Sequence, residues 1–348
     1  MYFINNSGEK QFPGTKRNLF LLLTLLLAGI LALYIRNRQS AETILRLSET
    51  EPAYEQSAAD FGHMEPRQNP YADLSVPTYV TKIEDTFFIV DCYHNQIIYS
   101  DSLERPLYEW NIMTDQINKG HTLACDGVVW LTDDTENHRI LVFEKKGDMF
   151  VHTQTLPDTG VRPHYIVYHE EKQCFYAGSS MTAEMYLLRR EEDSSRVYIS
   201  KILKIPTLDG IYVRSFTILE DDIYFVSGNS SIIRADLDTF EIREEYPVPD
   251  ALAGMVQLTW IDNYWYITVS TDKQGNQEAA TILRTDDLHK LAASDYEDVY
   301  AAFIGGGTPY YISYVEDRYY LTEHRLPGHS VWSFRSENGQ LQDITAIY

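Results

Sequence analysis

From Tyr79 onward apolar and polar positions alternate with a period of two in short runs, and the runs come in groups that repeat. That period sends successive side chains to opposite faces of a strand. The first group, YVTKIEDTFFIVDCYHNQIIYS, reads as an apolar strand, an acidic turn, an aromatic-rich strand ending in Asp91, a polar loop and a third apolar strand. The same order returns at HTLACDGVVWLTDDTENHRILVF from His121, and again from His164, Ser215, Leu258 and Tyr311. The starts are 42, 43, 51, 43 and 53 residues apart, and between copies there is room for a fourth strand, as in LYEWNIM, FVHTQTL, RVYISKIL, EIREEYPV and, at the chain end, QDITAIY.

Four strands per unit at a period in the forties is the signature of propeller blades, open sheets that cannot cover their own faces until neighbours stack around an axis. The predicted fold is therefore all-β, a six-bladed β-propeller over residues 76–348. After the segment that precedes it, only LHKLAA suggests a helical turn.

Ahead of the repeats the pattern changes. Leu19 to Ile35 run for 17 residues without a charge, flanked by Lys16 and Arg17 before and Arg36 and Arg38 after. That length sits at the short end for a transmembrane helix. A cleaved signal peptide is the rival reading, but no small-x-small pair precedes a plausible cleavage point. The expected organisation is a tail at 1–18, an N-terminal transmembrane anchor at 19–35, a polar, proline-punctuated stalk at 36–75, and the propeller. The flanking charges are balanced and orient the helix only weakly, so the default is a single-pass cell-membrane protein with its C-terminal domain extracytoplasmic.

Composition narrows the picture. With 44% hydrophobic and 13% aromatic residues, including 26 Tyr, the chain is too apolar for disorder. Beyond the anchor, 26 basic residues stand against 50 acidic ones, a net charge of −24 with His neutral. Such a body is repelled by nucleic acid, which is excluded as a partner. Cys92, Cys125 and Cys174 show neither a disulfide framework nor metal-ligand spacing, and they read as buried thiols, with a Cys92–Cys125 bridge as the alternative.

DCYHNQI from Asp91 and DDTENHRILV from Asp133 resemble the core of the NHL repeat, in which an aspartate ends the second strand, an asparagine follows a few residues on, and an Ile opens the third strand. SGNSSIIRA and TEHRLPGHSVWSF are looser copies, and the third and fifth units lack the loop motif. The resemblance implies an NHL-like six-bladed propeller; the anchor, the few cysteines and the acidic ectodomain suit a bacterial cell envelope.

In an up-and-down blade the starts of strands one and three and the ends of strands two and four share one face. That places His94, His138, His324 and His329 on the face of the second-to-third-strand loops, with His121 and His164 joining them at inner-strand starts. Tyr79, Arg214, Gln257 and Tyr310 are further axial candidates. Propellers take ligands at the channel mouth, so these residues form the expected ligand-binding face. Polar loops also collect His on a solvated rim, and strand-ending Asp and Asn bind their own turns, so architecture competes with chemistry at each position.

In six-bladed propellers of the resembled type, a channel-mouth metal or a His-assisted base supports lactonase, hydrolase and lyase activity. Carried onto this chain, that chemistry would use His121 and His164 as ligands or base and Glu323 or Asp133 as carboxylate partner, with calcium or zinc as the candidate ion. The axial positions are chemically mixed, however, without the converging carboxylates a hard cation needs. Gly305 to Gly307 lack the strand–loop–helix setting of a phosphate loop. The expected function is a membrane-tethered binding or scaffold module for a cell-envelope glycan or protein, with a channel-mouth hydrolase, lactonase or lyase as the alternative.

Overall fold

The computed structural model describes Thr24, Leu25, Leu27, Glu42, Thr43 and residues 65–348. The expected membrane helix over Leu19–Ile35 and most of the stalk lie outside the described residues, among which no helix is long and apolar enough to cross a membrane. Short strand β1, Glu42–Thr43, pairs with the outer strand of the third blade.

The alternating runs form six four-stranded antiparallel blades in chain order, as the spacing predicts. Blade 1 holds β2 (Pro77–Ile83), β3 (Thr86–Asp91), β4 (Gln96–Ser100) and β5 (Asn111–Thr114). Blade 2 holds β6 (Leu123–Cys125), β7 (Trp130–Asp134), β8 (Arg139–Lys146) and β9 (Met149–Leu156). Blade 3 holds β10 (Pro163–His169), β11 (Cys174–Ser179), β12 (Glu184–Arg190) and β13 (Val197–Lys204). Blade 4 holds β14 (Val213–Leu219), β15 (Asp222–Ser227), β16 (Ser231–Asp236) and β17 (Ile242–Pro247). Blade 5 holds β18 (Met255–Ile261), β19 (Tyr264–Val269), β20 (Thr281–Thr285) and the two-residue β21 (Glu297–Asp298). Blade 6 holds β22 (Thr308–Val315), β23 (Arg318–His324), β24 (Val331–Glu337) and β25 (Gln340–Ala346).

Period two explains the packing. Phe88 and Ile97 of blade 1 meet Trp130, Leu141 and Phe143 of blade 2, while their strand neighbours Ile89 and Ile98 meet Val315 and Val331 of blade 6. In blade 2, Leu131, Ile140 and Val142 turn the other way, against Ile166 and Phe175 of blade 3. Six apolar clusters result, one in each interface between blades, so each sheet is covered on both faces only when the ring is complete.

Closure uses no strand exchange, since blades 1 and 6 each keep four consecutive strands. Side chains fasten the seam instead. Thr322 Oγ1 donates to Thr78 O at 2.8 Å, Ser313 Oγ to Val80 O at 2.5 Å, and the Tyr348 hydroxyl to Arg105 O at 2.7 Å while accepting from Trp110 Nε1 at 3.1 Å.

The aspartates that end β3 and β7 are clamps. Asp91 Oδ1 accepts from Ser75 N at 2.7 Å, and Asp134 Oδ1 accepts from Asn118 N at 2.6 Å, so each catches the chain as it enters its own blade. Four residues further on, Asn95 and His138 both adopt left-handed backbone, at φ 55° and 58°. Asn95 Oδ1 then accepts from Lys119 N at 3.0 Å, and His138 Nδ1 from Arg162 N at 3.1 Å, which ties each loop to the start of the next blade. Asp134 also accepts from Asn137 Nδ2 and from Arg139 Nε at 2.6 Å, with its own side chain fully buried.

Asp134→Ala should therefore lower unfolding free energy by about 2–4 kcal/mol, because it strands buried donors. Glu316→Gln, at an exposed ion pair with Lys82, should stay within about 0.5 kcal/mol. Urea denaturation of the two variants measures the difference, and equal losses would show that the clamp carries no weight.

Candidate functional site

Five of the six blades carry a register irregularity at the start of the inner strand, at Pro77/Tyr79, Pro163/Tyr165, Val213/Ser215, Met255/Gln257 and Pro309/Ile312. Bulges re-aim side chains, and these set His164, Arg214 and Tyr310 outside the regular ladder at the upper channel mouth. His121 stands just before β6 in the second blade.

Two of the six predicted rim histidines come together. The His121 and His164 rings stack with centroids 3.7 Å apart, both buried, and Tyr310 lies 5.9 Å from His121. The Tyr311 hydroxyl donates to Arg214 O at 3.3 Å, so it accepts from His164 Nδ1 at 3.1 Å, leaving His164 Nε2 to accept from the Tyr310 hydroxyl at 3.4 Å. His121 Nδ1 faces Thr135 Oγ1 at 3.0 Å and Asp133 Oδ2 at 3.4 Å, and its Nε2 meets Cys92 Sγ at 3.8 Å. Asp133 is buried and further held by Thr122 N and Thr122 Oγ1, both at 2.9 Å, and by Thr135 Oγ1 at 2.7 Å.

Both imidazoles are neutral. Burial, followed by the charges of Arg162, Arg214 and Lys119, pushes His121 down to about 3, and burial also drives His164 well below the usual range. Burial raises the Asp133 carboxyl.

The other histidines are architectural. His94 bonds Asp91 at 2.7 Å and stacks on Tyr71 at 3.6 Å, and His138 is the interblade clamp. Burial, then Arg325, pushes His324 down to about 4, away from the axis, and His329 bonds Pro327 O at 3.0 Å against the Trp332 ring. Glu323 does not meet the histidine pair. It accepts from Tyr300 Oη at 2.5 Å and Trp332 Nε1 at 2.6 Å, a buried latch between blades 5 and 6, because alternation sends it with Leu321 toward blade 5 while Thr322 turns to blade 1.

Tyr79 and Gln257 are axial but lie lower. Tyr311 packs edge-on against Tyr79 and Tyr165, with centroids 6.4 and 5.0 Å away, and below this plug Tyr79, Tyr165, Gln257 and Phe216 line a cavity of about 500 Å³ open to the opposite face.

Cys92, His121 and Asp133 stand in the order of a nucleophilic triad. The electrostatics run the other way, since burial drives the Cys92 thiol upward while His121 is driven downward, the reverse of a thiolate–imidazolium pair. Cys92 is also sealed from solvent. The three cysteines are free, so no Cys92–Cys125 bridge forms. For calcium or zinc, no group of three His, Cys, Asp or Glu side chains among the described residues is arranged to hold an ion. At the channel mouth the His121 and His164 nitrogens and the Asp133 carboxyl are already engaged by partners within the protein, and the groups around them are hydroxyls and the Cys92 thiol, which does not fit such a cation.

The residues that sequence reasoning missed are Lys119, Arg162 and Tyr212. Arg162 and Arg214 flank the Tyr212 ring at 5.9 and 5.5 Å, and Tyr212 lies 6.0 Å from His164. All three stand two positions ahead of an axial residue, His121, His164 and Arg214 respectively, so aligning the blades one turn earlier would have found them.

No family model matches the sequence, and no curated protein matches it. Solved structures do match in fold. A "putative 6-phosphogluconolactonase" from Bacteroides uniformis is 14% identical at a TM-score of 0.55, with 79% of this chain and 87% of that one covered. One of the same description from Bacteroides fragilis is 10% identical at 0.56, covering 87% and 93%. A streptogramin B lyase is 19% identical at 0.51, covering 80% and 85%. At these identities the likeness establishes the β-propeller fold alone.

The buried histidines fix a pH dependence. Below about 6.5 the unfolded chain protonates them while the folded chain does not, so stability is lost as pH falls below about 6.5, by roughly 1 kcal/mol per pH unit for each histidine as long as its ring stays neutral in the folded chain. The raised Asp133 carboxyl acts oppositely at the acid end. Denaturant midpoints between pH 6.5 and 5 should fall with pH in the native chain and fall less steeply in His121→Gln/His164→Gln. Identical slopes would mean the pair titrates normally.

Proposed function

We propose that the protein is a membrane-tethered, extracytoplasmic binding propeller of NHL-like type, anchored through the apolar Leu19–Ile35 segment, whose upper channel mouth receives a cell-envelope ligand. The observation that carries this reading is the state of the two axial histidines. Each of the four ring nitrogens already faces a partner within the protein, and the tyrosine plug closes the path beneath them. A general base needs a free lone pair within reach of the proton it removes. A pair so engaged serves better as a rigid floor for recognition. The asparagine and histidine clamps of blades 1 and 2, which fix the rim loops, support the same reading.

A second reading, a channel-mouth hydrolase, lactonase or lyase, is favoured by the neutral state of the imidazoles and by the likeness to propellers named for lactonase and lyase chemistry. The two part on one experiment. The purified full-length chain, in detergent, is expected to open 6-phosphogluconolactone and to linearise a streptogramin B no faster than His121→Asn/His164→Asn, before and after dialysis against chelator. A native rate above that of the double variant transfers the assignment to the enzyme.

A further inference from the structure

The chain carries a net charge of −22, yet the channel mouth gathers cations. Lys119, Arg162 and Arg214 all bear on His121, and Arg162 and Arg214 also bear on His164. Their anchoring is unusual for an acidic protein. Arg214 spends Nη1 on Ser270 Oγ at 2.6 Å, and Lys119 places its ammonium 4.0 Å from the Tyr93 ring centroid, with no carboxylate at ion-pair distance from either among the described residues. Arg162 has one, Glu136 at 3.2 Å, reached through Nη2 at the half-exposed rim. Its Nε is buried without any partner.

A second orphan belongs to a residue that bonds Arg162 through the backbone. Ser180 is fully buried, and its hydroxyl makes no hydrogen bond. Its backbone is fixed to the same group: Ser180 N donates to Arg162 O at 2.9 Å, and Val213 N donates to Ser180 O at 2.9 Å. Ser180 follows β11 as Cys92 follows β3 and Thr135 follows β7, and both of those side chains contact the axial His121. A buried guanidinium nitrogen and a buried hydroxyl left unpaired cost free energy unless something supplies an acceptor. Both can donate, and of the three cations gathered here Arg214 and Lys119 have no carboxylate at ion-pair distance among the described residues while Arg162 has Glu136.

We infer that the channel mouth binds an anionic group, a carboxylate or a phosphate ester of a small sugar or glycan end, held by Arg162, Arg214 and Lys119 with the Ser180 hydroxyl as a neutral donor and Tyr212 as a stacking face. The inference rests on the binding reading and specifies the ligand's charge. A guanidinium pair suits the planar or trigonal oxygens of such groups better than a neutral sugar. The neutral histidine pair beneath leaves the net positive charge to these three side chains, so affinity should fall with salt.

Calorimetry on the full-length chain in detergent, at fixed ionic strength, tests this with glucuronate and glucose 6-phosphate as the two anion arms and glucose as the neutral control. Saturable binding of either anion, weakened roughly tenfold or more by Arg214→Gln and by Arg162→Gln, retained by Arg214→Lys and unchanged by Arg335→Gln on the outer face of blade 6, supports the inference. Whichever arm binds names the anion. Anion binding unaffected by the two glutamine variants overturns it, as does the absence of saturable binding in both arms. If glucose binds as tightly as the anions and is lost in the same variants, the anion inference falls while the binding reading stands.

Discussion

Each inner strand pairs on one side only, and six such edges face one another around the axis. Unpaired strand edges are costly when buried, because every N–H and C=O there has left water. The inner-strand side chains supply the missing partners from blade to blade. Thr78 Oγ1 donates to His121 O at 2.9 Å, Ile166 N donates to Thr122 Oγ1 at 3.0 Å, and Ser215 Oγ donates to Val256 O at 2.7 Å. Gln257 does both jobs, giving Nε2 to Ile312 O at 3.0 Å and taking Ile312 N on Oε1 at 2.6 Å. Ser313 then returns the chain of bonds to Val80 of the first blade. The ring is thus closed at the axis by short polar side chains as well as at its interfaces by apolar clusters, and the residues nearest the axis are committed to architecture before any ligand is considered.

That commitment decides what the channel mouth can be. A six-bladed ring leaves an axis narrow enough for Tyr79, Tyr165, Tyr310 and Tyr311 to fill, so the channel is plugged rather than open. The histidines sit on the plug, where burial removes their charge and the tyrosine hydroxyls occupy the nitrogens of His164. What remains available lies one step outward, on the loops that enter each blade, where Lys119, Arg162 and Tyr212 stand.

The blade count and the face of each loop were legible in the sequence because period two and a repeat near forty residues are imposed by packing, which acts on every unit alike. In LTDDTENHRILVF the dense polar cluster dissolves into roles of that kind: Asp134 catches Asn118, His138 holds Arg162 N, and Ile140 and Phe143 go to different interfaces. Asp133 and Thr135 are the residues of that stretch that reach the axial pair, both at His121 Nδ1. The convergence itself was half legible. His121 and His164 occupy equivalent inner-strand starts and do meet, but Glu323, also near a strand end, is turned away by a single step of alternation. A one-residue offset flips a side chain across the sheet, and bulges at five inner strands make that offset unreadable from spacing.

Stacking two imidazoles at 3.7 Å has a consequence for any ligand above them. Were either ring protonated, its charge would sit beside the other ring and close to Arg162 and Arg214, in a site from which water is largely excluded, where like charges repel strongly. Burial first, and the cations above the pair second, therefore keep it neutral, and the neutral pair in turn adds no charge to theirs. An anion arriving at the mouth would relax part of the field that depresses the histidines, so ligand and proton would be linked, each easing the binding of the other. The floor of the site and its charged rim are for this reason one electrostatic unit, even though only the rim has donors to spare.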